Sequence, residues 1–269
     1  MIRQRLALVA SLVIAMQGLS SAEDGEFARV VRNGGTATLR VFGARPVDLA
    51  ARKLVEEFAL AVNVEDAFYM NLQDLEEVKP PRAAGSGNRL LTPKPSSLEM
   101  RLDLNADGSL RDARKVVQDL VDAANTKLPF QCRVDTDGGV FTLVATRTRD
   151  DRGRSVELNP ILDRQVSVPL GTRTILEHVR LLTQALGEQT GFHVDCCDTA
   201  AAASGWGSNI ISFEAREEMA RSALLRLIRN APAAPQQASR ESGRYSWKMR
   251  CQPRESSCLI DVAPLVDRH

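Results

Sequence analysis

Histidine, carboxylate and thiol side chains alternate along one short segment of the chain. His193, Asp195 and Cys197 point to one side of a predicted strand, and Cys196 lies beside them. All three side-chain types are zinc ligands. Successive residues on one side of a strand lie roughly 7 Å apart, however, which suits a tetrahedral site poorly. The pattern favours the exposed side of an edge strand, and a Cys/His metal or redox protein is the weakest of the alternatives for function.

A second segment carries oxygen ligands in the order of a calcium loop. Asp103, Asn105 and Asp107 alternate before Gly108, as at the start of an EF-hand loop. The position of the closing acidic ligand is occupied by Arg114, a cation where a bidentate carboxylate is required. We therefore predict a turn between a strand and a helix, with no metal.

The histidines do not form an arrangement of a nucleophile and a base. His178 lies beside the apolar stripe of a predicted helix, and His269 is the last residue. The segment Gly205-Trp206-Gly207-Ser208 lacks the G-x-S-x-G pattern of a nucleophile elbow. No CxxC pair opens a helix, where the pKa of a thiol would be lowered. We predict that the protein is not an enzyme and has no catalytic residue and no cofactor.

The cysteines point to one disulfide. Alternation predicts a hairpin in which Cys251 and Cys258 stand on the same side of neighbouring strands, as a cross-strand bridge requires. Cys132 and Cys196 are each predicted to face a core, so a bridge between the two halves of the chain is an alternative. The pairing of Cys132, Cys196 and Cys197 stays open.

Three aromatic residues are candidate interaction residues. Trp206 lies in a segment of Gly, Ala and Ser where no core periodicity accounts for it, and Phe68 and Tyr69 follow a short predicted strand. Aromatic side chains on loops are typical contact anchors in interfaces. The alternative is that they fold back onto their own domain.

The start of the chain has the pattern of a signal peptide. Arg3 and Arg5 precede an apolar run over residues 6–16, and small residues lead up to Ala22. The run is too short to cross a bilayer, which takes roughly 20 residues. We expect cleavage after Ala22, an exported protein that is periplasmic or secreted, and no integral membrane segment in the remainder.

The charge balance argues against a nucleic-acid partner. Without Arg3 and Arg5, the 35 Lys and Arg residues become 33, against 34 Asp and Glu residues. A nucleic-acid-binding protein would need a clustered basic face. We predict no nucleic-acid partner.

Hydrophobic periodicity predicts an α+β fold of two tandem small modules, each in the order β-α-β-β-α-β-β, with helices packed on small mixed sheets. The modules cover residues 23–155, with a loop at 79–97, and 156–269, with a loop at 231–244. In the first, we predict strands 36–42, 62–67 and 98–103, helices 48–61 and 112–125, and a hairpin of 130–134 with 140–145. In the second, we predict strands 165–169, 192–196 and 209–213, helices ending at Gly191 and covering 216–229, and a hairpin of 245–251 with 258–262. The repeated order indicates an ancient duplication.

Residues 168–228 resemble the short N-terminal domain of secretins and TonB-dependent receptors. The resemblance rests on Leu170-Gly171, the Leu181-Leu182 helix, Thr190-Gly191-Phe192-His193-Val194 and the strand-helix run 211–228. The first half, with Arg45-Pro46 and residues 64–69, resembles a group of uncharacterised exported bacterial proteins. The pore domain of secretins and the barrel of the receptors have no counterpart in this sequence. The resemblance implies a periplasmic docking domain, and no catalytic residue follows from it.

These observations predict a non-catalytic, exported protein that acts as a protein-interaction module of the cell envelope. Loops or an exposed strand edge would bind the partner, because sheet edges accept added strands. The partner is expected to be an envelope protein whose identity is open, as is the oligomeric state. The main alternative is a periplasmic protein that binds a small ligand in a cleft between the two modules.

Overall fold

Helices pack on small mixed sheets in both halves of the chain, so the predicted α+β class is confirmed. The computed structural model describes residues 26–78, 90–196, 206–230, 245–252 and 256–264. Within these ranges, no helix combines the length and the apolar character that crossing a membrane requires.

The described elements follow the predicted order, with several additional strands. The first module contains β1 (Phe27–Asn33), β2 (Thr36–Gly43), α1 (Pro46–Phe58), β3 (Val62–Glu65), β4 (Leu75–Val78), β5 (Leu90–Pro93), β6 (Ser96–Asp103), α2 (Ala113–Lys127), β7 (Gln131–Asp137) and β8 (Val140–Arg149). β9 (Ser155–Glu157) follows at the boundary between the modules. The second module contains β10 (Gln165–Thr174), α3 (Ile175–Thr190), β11 (His193–Cys196), β12 (Ile210–Met219), α4 (Ala220–Arg229), β13 (Tyr245–Gln252) and β14 (Ser257–Pro264).

Strand pairing repeats between the modules together with the element order. In the first, β2 pairs antiparallel with β6, β3 parallel with β8, and β7 antiparallel with β8. In the second, β10 and β12, β11 and β14, and β13 and β14 form the same three pairs with the same directions. The two modules are therefore versions of one fold.

Local sequence signals account for the helix ends. Thr174 caps α3 by a reciprocal pair of bonds with Glu177, and Gly191 ends the helix in the left-handed conformation that favours glycine. Asp112 caps α2 by accepting from the Lys115 N–H. The segment before α2 is the predicted turn, in which Asp107 accepts from the Ser109 N–H and hydroxyl.

Some elements differ from the prediction. The helix expected over residues 216–229 begins only at Ala220, because β12 continues to Met219. Glu218 and Met219 pair with Val166 and Gln165 of β10, and this pairing keeps the backbone extended up to the start of the helix. Strand β5 lies inside residues 79–97, the segment predicted as a loop, and β1, β4 and β9 were not predicted. The other predicted loop, 231–244, lies outside the described residues.

One sheet runs through both modules, in the order β11-β14-β13-β3-β8-β7, with β9 beside β8. The junction is the parallel pair β13 and β3, where Lys248 lies opposite Val64 and Met249 opposite Glu65. The Asp66 N–H donates to the Met249 carbonyl at 2.9 Å. This junction places the two modules side by side in one continuous sheet.

The two hydrophobic cores lie on opposite faces of the shared sheet. Val64 belongs to the core of the first module, whereas Met249 belongs to the core of the second. Directly paired residues point to the same face of a sheet. Since Val64 pairs with Lys248 and Met249 pairs with Glu65, each core faces away from the other.

A buried ion cluster joins α4 to the sheet of the first module. Arg221, whose side chain is 6% exposed, donates to Glu65 at 2.5 Å, to Asp163 at 2.5 Å and to Asp135 at 3.0 Å. Arg133 donates to the same two aspartates. Burial raises the pKa of Glu65, and the bond from Arg221 offsets part of that increase. Glu65 is therefore a buried carboxylate whose charge depends on Arg221.

Replacing Arg221 tests this dependence. Arg221→Met should lower the free energy of unfolding by about 3–5 kcal/mol, because it leaves Glu65 buried without its cation. Adding Glu65→Leu should recover most of the loss, since an apolar pair can replace a buried ion pair. Urea unfolding followed by circular dichroism measures both.

Arg216→Met is the matched control, because Arg216 pairs with Glu214 on the exposed surface. It should change the free energy of unfolding by no more than about 0.5 kcal/mol. A double variant no more stable than Arg221→Met would contradict the role assigned to the buried charge.

Candidate binding site

Among the described strands, none pairs with the outer edge of β10, whereas the related strand of the first module is covered. In the first module β1 pairs along the whole of β2, forming the sheet β1-β2-β6. In the second module β10 and β12 form a two-stranded sheet, and no described strand pairs with the other side of β10. The second module therefore offers the place that β1 occupies in the first.

The backbone of Thr172 faces this open edge. The Ile175 N–H donates to the Asn209 carbonyl, so the backbone groups of Ile175 point towards β12. Because strand residues alternate, the backbone groups of residues 173 and 171 point towards β12 as well. The N–H and C=O of Thr172 consequently point outward. Nearer the start of β10, Pro169 and register shifts interrupt the strand. Proline is confined to edge strands and their irregularities, so Pro169 was a sequence signal for this edge.

Apolar side chains lie beside the open edge. Leu49 of α1 and Leu181 of α3 are equivalent positions, because each stands ten residues before the left-handed cap of its helix, Ala59 or Gly191. Leu49 is 5% exposed, whereas Leu181 is only partly buried. On β10 itself, Leu170 is 63% exposed. An added strand would cover apolar surface as well as backbone groups.

Two of the candidate interaction residues predicted from the sequence pack against other aromatic rings. Phe68 stacks on Phe192 of the second module with 5.7 Å between ring centroids, and Tyr69 meets the Phe130 ring edge-on at 5.9 Å. Trp206 begins a short 3-10 turn, but its side chain lies outside the described residues. A role in partner binding for these three residues stays a prediction.

The residues considered as metal ligands are spread over the molecule. His193 bonds to Asp195 at 2.8 Å on the exposed side of β11, whereas Cys132 is buried in the first core. Cys197 lies outside the described residues. In the described ranges, no three His, Cys, Asp or Glu side chains are placed to hold a metal ion. His178 is buried with its Nε2 atom 3.3 Å from the Ile211 carbonyl, which is a structural position.

The predicted disulfide is present. Cys251 and Cys258 are bonded across the β13–β14 hairpin with 4.0 Å between their Cα atoms. Cys132 carries a free, buried thiol, so the alternative bridge from Cys132 to Cys196 is not formed. Burial raises the pKa of the Cys132 thiol to about 12.

Two hollows lie between the modules. One, of about 280 Å³, has apolar walls that include Ala51 and Val55 of α1 and a rim that includes Lys248 and Asp261. The other, of about 610 Å³, lies beside β7 and next to the ion cluster, and half of its lining residues are charged.

Comparison with known proteins gives no relative: no protein-family model, no curated protein and no solved structure matches this chain.

The Cys132 thiol should resist alkylation in the folded protein. With a pKa of about 12, only roughly one thiol in ten thousand is ionised at pH 8, and the thiolate is the reactive form. Mass spectrometry after iodoacetamide treatment should find Cys132 unmodified in the native protein and fully modified in urea.

Thr136→Cys provides the control, because Thr136 is exposed on the same strand. This introduced thiol should react in the native protein within minutes to hours, as ordinary exposed thiols do. Equal labelling of Cys132 and the introduced thiol would show that the core around Cys132 opens readily.

Proposed function

We propose that the protein is a non-catalytic, exported docking protein of the cell envelope that binds an extended segment of another protein along β10. The observation that carries the proposal is the difference between the two sheets: β1 completes β1-β2-β6, and no strand of the described residues takes the matching place beside β10. Strand addition uses main-chain hydrogen bonds for affinity and side-chain contacts for specificity.

The strand β1 indicates which segment would fit. β1 runs antiparallel to β2, and its Ala28 and Val30 side chains pack against the first core. A segment in the matching place would run antiparallel to β10, with every second residue small or apolar. Those residues would lie against the partly buried Leu181 and Ala185 of α3.

Export and the class of partner rest on the sequence. The signal-peptide pattern of residues 1–22 supports an envelope location. The resemblance of residues 168–228 to the short N-terminal domain of secretins and TonB-dependent receptors supports a docking role. The β10 edge belongs to that same region, so the two lines of support point to one surface.

Binding of a small ligand is the second candidate function. It is favoured by the 280 Å³ hollow, where the Lys248–Asp261 and Arg250–Asp48 pairs stand beside apolar walls. Native mass spectrometry of protein purified from cells would reveal a retained small molecule. Retention of one, without any protein captured at β10, would favour this second function over the first.

A photoreactive side chain introduced at Leu170 should capture the partner in cells, because Leu170 is exposed beside the open edge. The captured segment should then bind Thr172→Pro at least roughly tenfold more weakly than the unaltered protein. Proline removes the outward N–H and obstructs an added strand. Fluorescence anisotropy with the labelled segment measures the change.

Thr172→Val is the matched control, since it keeps the backbone N–H and should bind within about twofold of the unaltered protein. A photoreactive group at Arg152, on an exposed turn before the second module, should capture nothing. A partner that binds Thr172→Pro as tightly as Thr172→Val would overturn docking along β10.

A further inference from the structure

The shared sheet ends in two strands that match those of its own internal junction. At the junction, the final-hairpin strand β13 of the second module lies against β3 of the first. β7 is the strand of the first module that corresponds to β13, and β11 is the strand of the second module that corresponds to β3. These two strands are the ends of the sheet order β11-β14-β13-β3-β8-β7. One molecule therefore carries both halves of a second junction, at opposite ends.

The modules are related by a half-turn about an axis that crosses the strands, combined with a shift along it. This relation follows from the reversed strand directions, the cores on opposite faces and the unchanged lateral order of strands. Applying this operation twice shifts a module along the axis and does not return it to its starting position. A contact between molecules that repeats the internal junction is therefore head-to-tail and does not form a closed ring.

We propose that β7 of one copy pairs with β11 of a second copy, so that the protein assembles head-to-tail with its shared sheet continuing from molecule to molecule. The occupant of each of these two edges is a second copy of this chain, and the internal junction is the template. The contact is separate from the β10 edge, and it neither requires nor excludes a partner there.

Residue equivalence specifies the new contact. Counting back from the hairpin turns, Lys248 matches Arg133 and Arg250 matches Asp135. Counting from the left-handed caps Ala59 and Gly191, Val64 matches Cys196. Since Lys248 lies opposite Val64, Arg133 of one copy should lie opposite Cys196 of the next.

Charge complementarity is retained with the signs exchanged. At the internal junction Arg250 pairs with Asp48 at 2.5 Å. Asp48 stands eleven residues before the cap Ala59, and Arg180 stands eleven residues before the cap Gly191. The pair Arg250–Asp48 therefore becomes Asp135 of one copy with Arg180 of the next. Asp135 already accepts from Arg221 and Arg133, so the exposed Arg180 would join an existing ion cluster.

Space for the incoming helix is present beside β7. Arg133 and Asp135 line the 610 Å³ hollow on the face that carries the second core. At the equivalent place on the other face, α1 reaches across the internal junction to Arg250. In the assembly, α3 of the second copy would approach this hollow and bring Arg180 to Asp135.

The contact between molecules should be weaker than the internal one. Within the chain the two edges are tethered, which corresponds to an effective concentration on the order of millimolar. Some backbone groups at the β7 edge already have hydrogen-bond partners within the molecule, because the Asn125 side chain bonds both the N–H and the C=O of Cys132. Trp247, the equivalent of Cys132, likewise takes its partner from a side chain, Asn63. Assembly is therefore expected only at high protein concentration.

Sedimentation velocity of the purified chain tests the proposal. Species larger than a monomer should appear as the concentration rises towards roughly 1 mM, and their frictional ratio should increase because the copies add along one line. Arg180→Asp should abolish these species by placing two carboxylates together. Arg152→Asp, the same change on an exposed turn, should leave them unaltered.

Disulfide trapping tests the geometry independently. With diamide added as the two-electron oxidant, Arg133→Cys should form a ladder of disulfide-linked multimers through Cys196 of the neighbouring copy, and adding Cys196→Ser should remove the ladder. Unchanged circular dichroism and melting temperature establish that the variants fold. A monomer at every concentration with no ladder, or multimers indifferent to Arg180→Asp, would overturn head-to-tail assembly and leave docking at β10 untouched.

Discussion

The parallel pairing of β13 with β3 is the constraint on which the rest of the structure depends. It places the two cores on opposite faces, so the back of the first module's sheet lies under the second module. Three of the side chains on that back are polar, and Asn63, Glu65 and Thr142 are all buried. Buried polar groups require partners, and Asn63 bonds both Thr142 and the Trp247 backbone. A junction of this kind holds one register, since a shifted register would leave those groups unpaired.

Local patterns made much of the fold predictable. The order of helices and strands followed from periodicity, and the Cys251–Cys258 bridge followed from alternation on the two strands of a hairpin. The cap at Gly191 was visible because glycine suits the left-handed end of a helix. Each of these features is encoded within a few neighbouring residues.

The remaining features depend on residues far apart in the chain. β1 carries Arg29 and Arg32 among its apolar residues, so its alternation was incomplete and it was not predicted. The extension of β12 depends on the pairing of Glu218 and Met219 with β10, which exists only in the folded chain. The shared sheet and the ion cluster around Arg221 arise from contacts between the modules. The edge at Thr172 arises because no described strand of the second module corresponds to β1. No periodicity within a segment encodes such pairings.

The junction has a consequence for how the chain reaches its folded state. Asn63 and Trp247 are 184 residues apart in sequence. The edge of β3 therefore stays unpaired during folding until β13, near the other end of the chain, pairs with it. Contacts of such long range slow folding, and an open strand edge invites pairing with other chains in the meantime. Asn63 and Glu65 place an amide and a carboxylate on that unpaired strand, where polar groups discourage aggregation. The polar side chains that join the modules in the folded protein therefore also oppose aggregation of the partly folded chain.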